Sequence, residues 1–156
     1  MIRMRPLFTI LMLLLLSSSV GIAQEKKDNV FSSIKKGIAS FYHDKFEGRP
    51  TATGEIFKND KFTAASNTLK LGSYVKVTNL SNGQVVYVKI NDRMAKSNRR
   101  LIDLARIAAK KLNFERQGIT DVKVEPVPEE EGRRAILAQR AELASEKEAE
   151  ISGSTL

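Results

Sequence analysis

The sequence predicts a mainly β protein, a small closed or partly closed barrel of six strands with one short helix. Three observations carry that reading. Short segments rich in β-branched and aromatic residues recur along the chain, divided by Gly, Pro, Asn and Ser. The best defined of them alternate apolar and polar side chains, the period of a half-buried strand. Before the C-terminal tail, a single stretch carries helical periodicity. About six such strands in roughly 90 residues fit a small barrel.

In chain order, Ile34 to Tyr42 contains GIASFY and reads as the first strand. His43 to Gly54 is rich in Gly, Pro, Thr and charge, so it reads as a loop. Glu55, Ile56 and Phe57 form a brief extended piece. Phe62 to Ser66 is a second extended segment, and a turn follows around Leu71-Gly72. Ser73 to Leu80 alternates, with Val75 and Val77 facing one way and Tyr74, Lys76 and Thr78 the other. Ser81-Asn82-Gly83-Gln84 is a hairpin signal, because Asn-Gly accepts the positive φ of tight hairpins.

The hairpin feeds Val85 to Arg93, VVYVKINDR, the strand around which the chain is organised. Val86, Val88 and Ile90 share one face and are expected core. Val85, Tyr87 and Lys89 share the other. The apolar face continues in register onto Asp92. A carboxylate buried without a partner costs on the order of several kcal/mol. Asp92 is therefore expected where the strand leaves the core and meets a groove, flanked by donors on Asn91 and Arg93. A strand ending in an ordinary Asn-Asp turn explains the same residues, and spacing leaves both readings open.

Met94 to Arg100 reads as a basic loop, and Leu101 to Leu104 as a short apolar piece interrupted by Asp103. Ala105 to Asn113 is helical, with Leu104, Ile107, Ala108 and Leu112 on one face. Gly118 closes that region, and Ile119 to Val127 gives a last strand. Pro126 and Pro128 end the domain. Glu129 to Ile151 has helical composition but a sparse apolar face (Ile136, Leu137, Leu143), and is expected as a charged helical or disordered tail.

The N-terminus reads as a secretory signal over residues 1–23. Arg3 and Arg5 precede an apolar run from Leu7 to Leu16, and Gly21-Ile22-Ala23 is a small-x-small cleavage pattern. The expected organisation is a signal at 1–23, a flexible lead-in at 24–36, a barrel at 37–127 and a charged tail at 128–156. The expectation is export to the periplasm, with no transmembrane segment in the mature chain. The sequence has no cysteine, so disulfides, cysteine zinc sites and acylation at a lipobox cysteine are excluded chemically. One histidine excludes a multi-histidine metal site, and no metal or cofactor is expected. The formal charge of +8 is uneven: residues 24–127 carry +9 and residues 128–156 carry −3. A basic domain suits an anionic partner. Export argues against nucleic acid and for a carboxylated wall glycan or an anionic membrane surface.

Two carboxylates stand out, Glu55 after Thr-Ala-Thr-Gly and Asp92 at the end of the central strand. Paired carboxyls across a groove are the usual equipment for breaking a glycosidic bond, one of them held protonated near neutral pH. Tyr42 and Phe41 are candidates to stack on sugar rings. Arg49 and Arg93 are candidates to hold a carboxylate, or to order the site by pairing with Glu55 or Asp92. His43, beside Asp44, is a weaker candidate for the groove.

Three segments together resemble the rare lipoprotein A family: GIASFYHDKFEGRPTATGEIF, FTAASNTLKLGSYVKVTNLSNGQVVYVKINDR and RLIDLARIAAKKLN. The resemblance runs from about Gly37 to Val127. It implies a double-psi β-barrel and a septal-ring lytic transglycosylase. The implied substrate is peptidoglycan glycan stripped of stem peptides, cut without water to leave 1,6-anhydro-muramic ends, and a septal protein partner is implied too. Glu55 of TGE and Asp92 of NDR match residues the family uses for catalysis, while Tyr42, Arg49, Ser66, Asn91 and Arg93 are expected around the substrate. The chain departs from the family at Ser66, where an AAH triplet usually has histidine, at Met94 and Ala95 after NDR, and at Ala105, where a serine would cap the helix. A serine cannot carry a proton near pH 7 as imidazole can. Two other readings therefore stand beside the enzyme: a glycan-binding or wall-loosening barrel with reduced turnover, and a periplasmic scaffold for a partner.

Overall fold

The computed structural model describes residues 33–153. The expected signal and most of the expected lead-in lie outside the described residues. Six strands close into a barrel in the order β1-β5-β2-β4-β3-β6. They are β1 (Lys35–Phe41), β2 (Thr63–Ala65), β3 (Tyr74–Asn79), β4 (Val85–Asp92), β5 (Ile102–Leu104) and β6 (Thr120–Val127). Helix α1 spans Arg106–Lys111 and helix α2 spans Glu129–Gly153. Two pairs, β1 with β5 and β2 with β4, are parallel; the other four are antiparallel. Closure leaves no unpaired sheet edge around the ring, which matters for strands as short as three residues.

The hairpin closes as Asn82-Gly83 demands. Gly83 takes φ +76°, its N–H bonds the Asn79 carbonyl at 2.8 Å, and β3 then pairs with β4 from Thr78↔Val85 to Tyr74↔Lys89. This register turns Val75, Val77, Val86, Val88 and Ile90 into the barrel, all fully buried, with Ile102, Leu104, Val122 and Val124 from the other strands. Helix α1 plugs one side of the core with Ala108, Ala109 and Leu112. Ala109 is buried where the sequence placed Ile107, which is only partly covered. Ala105 supplies no cap, and Asn59 replaces it. The Asn59 Oδ1 accepts from the Arg106 N–H at 3.2 Å, and its carbonyl accepts from the Ile107 N–H at 3.0 Å.

The C-terminal segment is a 25-residue helix laid on the outside of β3 and β4. Few apolar residues hold it, so the docking is specific rather than broad. The Gln139 side chain accepts from the Tyr87 N–H at 2.7 Å and donates to the Tyr87 carbonyl at 3.0 Å. β2 is too short to pair β4 at Tyr87, and Gln139 serves as the missing strand partner. Gly132 lies against Tyr74, where an added Cβ would sit 2.3 Å from the tyrosine Cβ. Ile136 and Leu143 pack on the core, and Lys111 pairs with Glu142 at 2.6 Å. Among the described residues no helix is long and apolar enough to cross a membrane.

Candidate active site

The site grows from a break in alternation at the end of β4. Ala64 of β2 pairs with Ile90, but Ala65 pairs with Asp92, so Asn91 is an extra residue in the parallel ladder. The bulge buries Asn91 and leaves Asp92 half-exposed. On its other side Ala65 pairs with Asp103 of β5, and Asp103 pairs with Ser40 of β1. Ser40, Asp103, Ala65 and Asp92 therefore form one row across four strands. Ala65, with no side chain beyond Cβ, separates two carboxyl groups. Two strand spacings of about 4.8 Å put the two aspartate Cα atoms roughly 9–10 Å apart.

Asp92 and Asp103 both line an outer cleft of about 330 Å³ with Tyr42, Met94, Asn98 and Arg100. A small apolar cluster of Tyr42, Phe57, Ala65 and Ala105 underlies it, separate from the barrel interior. Larger hollows lie elsewhere. One of about 520 Å³ near the hairpin has a single carboxylate, Asp121, among its lining residues, so size does not mark the chemistry.

The two aspartates are held differently. Asp92 accepts three hydrogen bonds: from the Tyr42 hydroxyl at 2.8 Å, the Ala52 N–H at 2.9 Å and the Arg93 N–H at 2.8 Å. Tyr42 is clamped between Phe57, 4.2 Å away between ring centres, and Phe46 at 5.9 Å. Burial first, and the bond to Asp92 second, raise its phenol far above the ordinary range, so it stays a donor. Asp103 accepts one bond, from Ser40 Oγ to Oδ1 at 2.6 Å, and Oδ2 has no hydrogen-bond partner among the described residues. Burial pushes the Asp103 carboxyl up, against weaker opposing pulls from the Ser40 hydroxyl and the Arg100 charge.

Glu55 sits outside this row. The loop carrying it folds back through the Thr51 N–H on the Glu55 carbonyl at 2.8 Å and the Thr53 N–H on the Asn91 carbonyl at 3.1 Å. Its carboxylate pairs with the Lys89 ammonium and accepts from Asn91 Nδ2 at 2.8 Å. Lys89 first, and Asn91 next, hold the Glu55 carboxyl below the usual carboxylate range. No hydrogen bond joins Glu55 to Asp92. The same 51–55 loop holds both, through the Ala52 N–H on Asp92 and the Glu55 side chain on Asn91.

Of the other sequence-predicted residues, Tyr42, Asn91, Arg93 and Ser66 are tied into the site's framework, while Arg49 and His43 are exposed. Tyr42 is buried, with its ring against Phe57 and its hydroxyl on Asp92. Asn91 is buried and orients Glu55. Arg93 pairs with neither carboxylate; its guanidinium donates to the carbonyls of Ser66 and of Leu69, the latter at 2.8 Å. Ser66 has no exposed surface. Its hydroxyl donates to the Leu101 carbonyl at 2.8 Å and accepts from the Thr68 and Leu69 N–H groups at 3.3 Å. Arg49 is exposed, 5.4 Å from the Phe46 ring centre, and has no carboxylate partner among the described residues. His43 is exposed and caps a 3-10 turn at Asp44–Phe46 through the Lys45 N–H at 3.1 Å. Asp103 is the site residue that sequence reasoning misses. Its one signal is a lone carboxylate between the two apolar residues of a three-residue strand, Ile102 and Leu104.

The lytic transglycolase family pattern matches residues 34–124. The endolytic peptidoglycan transglycosylase RlpA of Haemophilus influenzae is 50% identical over 94 residues, 60% of this chain and 33% of that protein. RlpA of Pasteurella multocida is 47% identical over 118 residues, 74% of this chain and 40% of that protein. The chain thus spans a third to two fifths of the length of these relatives. Among solved structures, the Streptomyces papain inhibitor has a TM-score of 0.50 at 23% identity, covering 61% of this chain and 94% of that one. The apo expansin of Clavibacter michiganensis has a TM-score of 0.51 at 19% identity, covering 62% and 51%. These last two likenesses bear on the fold alone.

Proposed function

The chain belongs to the lytic transglycolase family, its described barrel is the double-psi barrel of that family, and we propose that it is an endolytic peptidoglycan transglycosylase. The substrate of the proposal is glycan without stem peptides, and the products carry 1,6-anhydro-muramic ends. The observation that carries the reading is the row Asp103–Ala65–Asp92 in one cleft, with Asp103 biased towards its protonated form.

In the proposed mechanism the Asp103 carboxyl gives its proton to the glycosidic oxygen. The bond from that oxygen to C1 of the muramic residue breaks with its electron pair on the leaving oxygen, and positive charge develops at C1. The carboxylate of Asp92, fixed by Tyr42 and two backbone N–H groups, faces that charge. The muramic 6-hydroxyl oxygen then bonds to C1, and its proton returns to the Asp103 carboxylate, which regenerates the acid. No water enters the products. Glu55, kept ionised by Lys89, holds Asn91 in the bulge beside Asp92. Export to the periplasm and a septal partner belong to the same proposal.

Digestion of purified peptide-free glycan strands tests it, read by mass spectrometry for anhydro-muramic ends. Wild type is expected to form them, and Asp92→Asn to abolish them while keeping the fold. Strands bound but never cut would leave a glycan-binding barrel. Strands neither cut nor bound would leave the scaffold reading.

A further inference from the structure

Beside the cleft, on the same outer face, lies a groove that the proposed chemistry does not use. Thr63, Lys89 and Tyr74 form a row across β2, β4 and β3, two residues along β2 from the Ala65 row. That is about 7 Å at strand rise. Helix α2 lies along this row and walls in a groove of about 270 Å³. Its apolar lining includes Phe62, Tyr74, Ile136 and Leu137. Its polar lining includes four cations, Lys61, Lys89, Arg133 and Arg140. Lys89 is spent on Glu55, and Arg133 on Glu129 at 2.6 Å. Lys61 and Arg140 have no ion-pair partner among the described residues. Arg133 and Arg140, with Ile136 and Leu137 between them, recur at helical spacing on one face of α2. Both arginines lie beyond residues 34–124, so the family-matched barrel does not contain this wall.

We propose that this groove is a glycan subsite in which Lys61 and Arg140 hold the lactyl carboxylate of a muramic residue next to the one being cut. The proposal rests on the transglycosylase reading and deepens it. Charge complementarity selects the occupant: two cations outside any ion pair among the described residues, Lys61 within the field of Glu55 and Arg140 on the helix, over an apolar floor fit an anionic group on a sugar ring. In glycan without stem peptides each lactyl carboxyl is free and charged. Once a peptide is joined there, the carboxyl becomes a neutral amide and no longer answers the cations. The groove thereby supplies a physical reason for preferring peptide-free strands, and the helix supplies half of it.

The test measures binding of end-labelled peptide-free strands and of the same strands with their carboxylates amidated. The full chain is used in an Asp103→Asn background so that strands stay intact. The free-carboxylate strand is expected to bind roughly tenfold tighter, what two partly exposed charge pairs supply. Lys61→Gln with Arg140→Gln should erase the difference, and Lys61→Arg with Arg140→Lys should keep it. A preference that survives the double glutamine change overturns the subsite. So does equal binding of the two strands by a protein that otherwise cleaves glycan, and then the transglycosylase reading stands. Failure to bind either strand overturns both. Binding to anionic phospholipid vesicles that the glutamine pair abolishes, without a carboxylate preference on glycan, would assign the groove to a membrane surface and overturn it too.

Discussion

Glu55 and Asp103 are carboxyl groups on one outer face of one barrel, and their surroundings push them in opposite directions. Asp103 sits on a strand between two fully buried residues, with one serine hydroxyl for company, and desolvation dominates. Glu55 sits on a loop, two-fifths exposed at its side chain, with a lysine and an asparagine bound to it, and attraction dominates. The contrast shows how a site can keep one acid and one carboxylate at the same pH. Strand position supplies the desolvation, and loop position supplies the partners. It also separates the roles. A group held up in its titration can give a proton, and a group held down can only oppose positive charge.

After the complete loss expected for Asp92→Asn, the largest effect comes from Asp103→Asn, which removes the proton donor without changing its shape. Cleavage of peptide-free strands should fall by about 10²–10⁴-fold, the usual worth of a general acid. Wild-type cleavage should decline as pH rises through the raised Asp103 value, since only the protonated form donates. Stability follows the same group. A carboxyl whose folded value lies above its unfolded one contributes fully below the unfolded value, and the contribution is lost as pH rises through the folded value. Urea melts of Asp103→Asn should therefore lack that fall. An unchanged melt profile together with full activity would remove Asp103 from the mechanism.

Glu55→Gln should cost less, about 10–100-fold in cleavage, what loosening the charge-assisted hydrogen bond to Asn91 beside Asp92 costs. The variant should keep the decline at high pH, because the acid is still Asp103. Its stability signature has the opposite sign. The lowered folded value makes the Glu55 contribution present above the unfolded carboxylate range and lost as pH falls through the folded value, so the variant should not show that acid-side loss. If Glu55→Gln instead abolished the high-pH decline, the two roles would be exchanged. Tyr42→Phe comes next, at about tenfold. It removes one of three donors to Asp92 while keeping the ring between Phe46 and Phe57.

Most of the barrel was legible because its strands obey period two. Val86, Val88 and Ile90 are core as the alternation requires, and Asn82-Gly83 turns where its chemistry predicts. The site was legible only in part. Asp92 could be placed at the strand's end, but the bulge at Asn91 comes from pairing with β2, residues distant in sequence. Asp103 was hidden for the same reason: nothing near it in sequence reveals that Ala65 faces it on one side and Ser40 on the other. For the tail, a charged helix stood beside disorder as an alternative, and it was the docking of α2 that escaped, because it depends on Gln139 and Gly132, a polar residue and a glycine, neither of which adds to an apolar stripe.

Ser66 adjoins the backbone of Asp92, and its substitutions should have the smallest effect on chemistry. Its N–H bonds the Asp92 carbonyl at 3.1 Å, but its side chain points to the Leu101 carbonyl and the Thr68–Leu69 turn. The hydroxyl is thus spent on holding two loops together. Ser66→Ala should leave cleavage within about twofold and cost on the order of 1–2 kcal/mol of stability, from buried groups at Leu101 and Leu69 left unsatisfied, measured by urea melts. Ser66→His asks the converse question. The position has no exposed surface, so an imidazole must displace its neighbours at about 1–3 kcal/mol. If the ring reaches the cleft, cleavage should rise and gain a titration near the histidine range. If it stays under the loop, cleavage should follow stability alone. A Ser66→Ala variant that loses cleavage while keeping its melting midpoint would return the serine hydroxyl to the reacting site.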